Sequence, residues 1–323
     1  MGPAEAAALP VPDRPRALAA PRVADVLLVV VLALASSLLY GVSDFLGALA
    51  ARRAPVLVVT ALAYLVASLT LVVGVLLVPG AWTAGSVLAG VVAGVSALVG
   101  FATFYAALAA GPLSLLSPFI AMLQSAVPVA VALLLGERLT GPRWGGVAIA
   151  IVAALLLGVP REDHPHRVGR RALVLATVAG VGLGMSIAAL DAAPSGSGLG
   201  PALVETASGL LLLVTGLLGL AAHPRTRVRV AWLDGGEGAA GSHHRTSRTV
   251  LLAAGAGLVL GVANALLMLA LGDGELSVVA VVVGLYPLAT IALARVVLRE
   301  RLSRSQGVGI VLALAACVLL TAG

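Results

Sequence analysis

Apolar residues run through this chain in ten long segments, at roughly 26–50, 56–79, 86–110, 112–135, 145–159, 172–193, 200–222, 249–271, 276–298 and 307–322. Most approach the ~20 residues that cross a bilayer core; the fifth and tenth are short. A backbone in hydrocarbon must pair its polar groups within its own segment or in a closed barrel. The alternation of barrel strands is absent, so each run predicts a helix. Some helices abut with almost no loop, as at Gly111-Pro112. Two connections are polar: residues 160–171 (PREDHPHRVGRR) and the longer stretch 223–248, which carries Gly and His.

Part of the pattern is written twice. ALAAGPLSLLSPFI (107–120) returns as ALGDGELSVVAVVV (270–283), and LGERLTGPRWGGV (135–147) as LRERLSRSQGVGI (298–310), both after a shift of 163 residues. The shift lays the fourth helix on the ninth and the fifth on the tenth, so each half has five helices. Five is odd, and the second half must then sit upside down relative to the first, as in many secondary transporters. The expected fold is an all-α polytopic membrane protein of ten transmembrane helices in two inverted five-helix repeats. Residues 1–24 form a Pro-, Ala- and Arg-rich tail, 25–159 the first repeat, 160–171 a linker and 172–323 the second repeat.

Composition agrees with lipid as the solvent. Hydrophobic residues make up 60% of the chain and charged ones 11%, and the mean hydropathy is +1.11; no soluble chain of this length could hide so much apolar surface. Every one of the 20 basic residues is Arg, and they sit in loops between spans. Anchoring and orientation account for them, not nucleic-acid binding. Arginines gather after odd-numbered helices (Arg52, Arg53, Arg170, Arg171 and Arg225 among them), against Arg14, Arg16, Arg22, Arg138 and Arg143 on the other side. The positive-inside rule then puts both termini outside. The single Cys317 gives neither a disulfide framework nor a thiolate metal cluster, and His243-His244 lacks further ligands at metal spacing. No cofactor or metal is expected.

ALxxGxLS, a Pro-interrupted helix, GERL or RERL, and a Gly-bearing final helix together resemble the EamA-type members of the drug/metabolite transporter superfamily. YGVSDFLGALAARR (40–53) is similar to the same family. The resemblance runs from about residue 26 to the end. It implies a ten-helix carrier of small metabolites or drugs, often outward, with cytoplasmic termini; the arginine distribution implies the opposite orientation.

Ionisable groups within spans are costly and are functional candidates by default. Asp44 lies one turn after Tyr40, on the same helix face, where a carboxylate beside a phenol can bind a cation or carry a proton. The alternative is that Asp44 reaches the interface near Arg52 and Arg53. Glu205 stands near the start of its helix, where the dipole favours a carboxylate, and Asp191 is expected at the membrane surface. Among neutral groups, the 163-residue shift relates Asn264 to Phe101, Met268 to Tyr105 and Gln124 to Pro287. With Tyr286 and Thr290 these side chains are candidates to line one central cavity; hydrogen-bonded packing between helices is the competing explanation. Pro118, Pro128 and Pro287 interrupt the fourth and ninth helices and free carbonyls for a cavity, or simply kink them. The doubled pairs Glu137-Arg138 and Glu300-Arg301 stand at the membrane edge and read as structural clasps, each holding a neighbouring helix end or Arg at the gate of its half.

The function expected is secondary active transport by alternating access, exporting small metabolites or drugs, driven by proton exchange through Asp44 or by simple exchange of solutes. The partners are the bilayer and a small solute, the chain acting as a monomer or homodimer in a bacterial plasma membrane. No Walker A pattern points to ATP. An intramembrane enzyme would need a nucleophile–base pair at depth; all five histidines lie in loops and no GxSxG or HExxH occurs. A non-transporting assembly or sensor protein is the remaining alternative.

Overall fold

The computed structural model describes residues 23–51, 53–110, 113–157, 169–222, 243–297 and 304–321, and every regular element among them is a helix. In chain order these are α1 (Val23–Ala51), α2 (Val56–Leu77), α3 (Ala84–Ala110), α4 (Leu113–Leu134), α5 (Gly141–Leu157), α6 (Arg170–Asp191), α7 (Gly200–Ala222), α8 (His243–Asp273), α9 (Leu276–Val283), α10 (Pro287–Val297) and α11 (Arg304–Thr321). Two differences from the sequence expectation follow. The ninth apolar run is two helices, not one, because three residues before Pro287 tighten into turns. And α8 begins at His243, inside the stretch read as a polar loop.

By length and apolar content 6 of these helices, α1, α2, α3, α6, α7 and α8, are able to cross a membrane unaided. The others are shorter or interrupted. Their outward faces are still apolar: Leu134 of α4 is 86% exposed and Val296 of α10 75%. Such surface is unfavourable in water by about 25 cal/mol per Å² and neutral in lipid. The fold is thus a multi-pass helical membrane protein.

Helix packing has an internal regularity. α3 packs on α6 as α1 packs on α8; α4 on α6 as α9 and α10 on α1; α3 on α7 as α2 on α8. α2 with α7, α4 with α9, and α5 with α11 complete the set. Exchanging each helix of the first half for its counterpart in the second leaves this pattern unchanged. Glycine allows two of the matched approaches. A Cβ on Gly94 (α3) would strike the carbonyl of Glu205 on α7, and one on its repeat mate Gly257 (α8) the carbonyl of Ala63 on α2. Small residues at such crossings let backbones touch, which is how helices associate where lipid offers no hydrophobic drive.

The interior is not uniform from end to end. The main apolar core gathers where α1 begins: Val29 and Val30 with Leu190, Leu199, Leu271 and Leu276. At the other end the described residues form two separate small clusters. One joins α3, α4 and α6 through Ala107, Ile120 and Ala176; the other joins α1, α2 and α8 through Ala50, Val59 and Ala253. Among the described residues, then, one end holds a continuous core and the other two separate clusters.

Candidate functional site

The inner face of α1 organises the site. Pro287 has no N–H, so the carbonyl of Val283, four residues earlier, loses its helical partner. Two donors replace it, the Tyr286 N–H at 3.1 Å and the Ser37 hydroxyl at 3.0 Å. Ser36 and Ser43, two turns apart, donate to the carbonyls of Ala263 (2.8 Å) and Ala256 (2.9 Å). An advance along α1 is matched by an equal retreat along α8, so the two helices are antiparallel. Three serines thus fix the rotation of α1, and helical spacing places Ser37, Tyr40 and Asp44 on one inward stripe.

From that stripe a chain of polar side chains crosses the interior. The Tyr40 hydroxyl donates to Asn264 Oδ1 on α8. Asn264 Nδ2 donates to Glu205 Oε2 on α7 at 3.4 Å, and the Ser186 hydroxyl of α6 donates to Glu205 Oε1 at 2.7 Å. Asn264 is only 4% exposed. Asp44, one turn beyond Tyr40, is exposed and makes no hydrogen bond or ion pair among the described residues. Asp44 is thus an exposed carboxylate on the stripe that carries Ser37 and Tyr40.

The end with the continuous core is held by carboxylates of a different kind. α4 ends in a Schellman turn: Gly136 has φ of 94°, and the Glu137 N–H reaches back to the carbonyl of Ala132 at 2.9 Å. The turn aims Glu137 at the start of α9, where its oxygens accept the N–H groups of Leu276 (2.8 Å) and Ser277 (3.2 Å). Here the helix dipole and two unsatisfied donors favour an anion. Beside it, buried Arg143 of α5 pairs with Glu275. The α2–α3 and α6–α7 connections also meet, with the Ala81 N–H donating to the carbonyl of Gly196 at 2.8 Å.

Residues 172–322 match the EamA-like transporter family. The match lies in the C-terminal part of the chain, and the EamA-like family is part of the drug/metabolite transporter superfamily. A solved structure described as the crystal structure of a protein matches with a TM-score of 0.66 at 16% identity, covering 90% of this chain and 95% of that one. At that identity the likeness is one of fold, and it extends over both halves. Comparison with the curated proteins finds no match.

Within this fold the candidate residues fall into separate groups. Tyr40, Asp44, Asn264 and Tyr286 come together. Phe101 stands apart, half-buried and edge-on to the Tyr64 ring, with centroids 6.3 Å apart and planes at 78°. Met268 is 7% exposed within the main apolar core. Gln124 is half-buried on α4, its carbonyl lying under Gly184 of α6. Arg138 is exposed, whereas Arg143 is the buried arginine. The side chains of Tyr105, Pro118, Pro287 and Thr290, and the residues Glu300 and Arg301, lie outside the described part of the structure. One assignment changes: Glu205 does not rest on its own helix dipole; side chains of α6 and α8 hold it. Asp191, the last residue of α6, is 7% exposed. Ser36, Ser37, Ser43 and Ser186 enter the site only with the structure.

Proposed function

We propose that this EamA-type chain is a secondary active carrier that exports a small metabolite or drug-like solute by alternating access, with Asp44 as a proton-coupling acid. The observation that carries the reading is the contrast between the two ends. Among the described residues Asp44 stands exposed with no hydrogen bond or ion pair, while the end where α1 begins is closed by core packing, a helix cap and an ion pair. The exchange regularity of the helix contacts supports two related five-helix halves, and the odd number of helices in each supports their inversion. Two such halves can swap conformations, opening one end as the other shuts. Export as the direction, and the plasma membrane as the location, rest on the family resemblance.

The test is uptake into proteoliposomes from a panel of amines, amino acids and aromatic drugs, with and without an imposed pH gradient. Gradient-driven flux that disappears in Asp44→Asn is the expected result. Flux with undiminished coupling in that variant removes Asp44 from the mechanism; no flux of any panel member favours the assembly or sensor alternative.

A further inference from the structure

The described carboxylates differ in the kind of partner they have. Glu137 accepts from backbone N–H groups and Glu275 from a guanidinium, and neither kind of donor can turn round to accept. Glu205 is different: its partners are a hydroxyl, Ser186, and a primary amide, Asn264, whose far side meets a phenol, Tyr40. Each of the three is both donor and acceptor.

The ionised acid can only accept, which sets the amide with Nδ2 toward Glu205 and Oδ1 toward Tyr40. A protonated Glu205 has a proton to donate. Rotating the Asn264 amide by half a turn offers Oδ1 to the acid and Nδ2 to the Tyr40 oxygen, and the phenol proton is then released to a new acceptor. Ser186 need not reverse: the acid carries one proton, given to Asn264 through Oε2, and Oε1 goes on accepting from the hydroxyl. The bonds to Glu205 can thus be kept in either charge state without moving a helix. A buried polar group left unsatisfied is costly, and a site that satisfies both states avoids that cost.

The surroundings supply charge of one sign only. α1, α2, α3 and α7 contain no Arg, Lys or His, and the basic residues of α6 and α8 stand in their first turns, at the far end from Glu205. The other titratable groups on the elements around Glu205 are Asp25, Tyr40 and Asp44 on α1, Tyr64 on α2, Tyr105 on α3, Asp191 at the end of α6 and Asp273 at the end of α8. Tyr64 packs against Gly209, one turn along α7 from Glu205, and α3 contributes glycine at its contact.

We propose that Glu205 is a second proton-exchange site of this carrier, separate from Asp44, and that Asn264 is its positioning residue, reporting its charge to Tyr40. The proposal rests on the carrier reading for its purpose but not for its test. Infrared difference spectra of the full chain in lipid nanodiscs, recorded across a pH step without solute, read carboxyl protonation directly. A carboxyl band lost in Glu205→Gln, kept in Asp44→Asn, and moved in frequency by Asn264→Leu is expected. Tyr40→Phe, which alters one hydroxyl and keeps the ring, should leave the band but remove the accompanying change in phenol absorption. A difference spectrum unaltered by Glu205→Gln overturns the proposal, as does a Glu205 band indifferent to Asn264→Leu. If the wild type shows no gradient-driven flux, the coupling assigned under the carrier reading fails, while the infrared result still decides Glu205.

Discussion

Removing the Ser37 hydroxyl isolates one hydrogen bond whose value depends on a residue 250 positions away. Ser37 donates to the Val283 carbonyl, which is short of a partner because Pro287 cannot supply the helical one. Ser37→Ala leaves that carbonyl with only the Tyr286 N–H at 3.1 Å. Interhelical hydrogen bonds in membranes average about 0.6 kcal/mol; losing one to a carbonyl already short of a partner belongs at the upper end of the usual range, about 1–1.5 kcal/mol. Ser43→Ala is the internal control, since Ala256 lies within the unbroken α8 and keeps its own helical N–H; it should cost about 0.5 kcal/mol. Pro287→Ala restores the missing donor to Val283. In that background Ser37→Ala should fall to the control value, giving a coupling of about 0.5–1 kcal/mol in a double-mutant cycle. Reversible unfolding in mixed SDS micelles measures all four species. Equal costs for Ser37→Ala with and without Pro287 would refute the reasoning, because the hydroxyl would then not be standing in for the lost N–H.

Glu137→Ala strips the cap from α9 and should speed amide hydrogen exchange at Leu276 and Ser277, with a loss of about 1–2 kcal/mol in stability; unchanged protection at those two amides would contradict the cap. Gly94→Ala should lower the thermal midpoint and displace α7, since its Cβ meets the Glu205 carbonyl, at about 1–3 kcal/mol for overpacking. The same change at Gly47, where nothing lies in the path of a Cβ, should be nearly silent in the same melt.

The architecture was legible because lipid leaves a chain few options: long apolar runs must be helices, and a doubled GERL/RERL phrase must relate two sets of them. Asp44, Tyr40 and Asn264 were legible for a related reason, polar groups being rare enough in spans to stand out. What escaped was every interaction fixed by the rotation of one helix against another. Ser36, Ser37 and Ser43 look like ordinary small residues until α8 and α9 are beside them. Glu205 stood near a helix start, and sequence alone could not weigh the dipole against an amide arriving from α8. Met268 looked like cavity lining by its repeat mate, yet a few degrees of rotation turn it into the core. The break in the ninth helix was foreshadowed by Pro287, but not the hydroxyl that mends it.

The ion pair at the closed end has a kinetic consequence. Under the 163-residue shift the mates of Glu275 and Arg143 are Pro112 and Gln306, which cannot form a second such pair. Two otherwise equivalent end states are therefore unequal in energy, and each 1.4 kcal/mol of difference shifts their ratio tenfold. If the proposed alternating access holds, the empty carrier is expected to dwell with the Arg143–Glu275 end shut, its slow step being the unloaded return. Solute waiting on the far side should then accelerate efflux, so that counterflow outruns net transport.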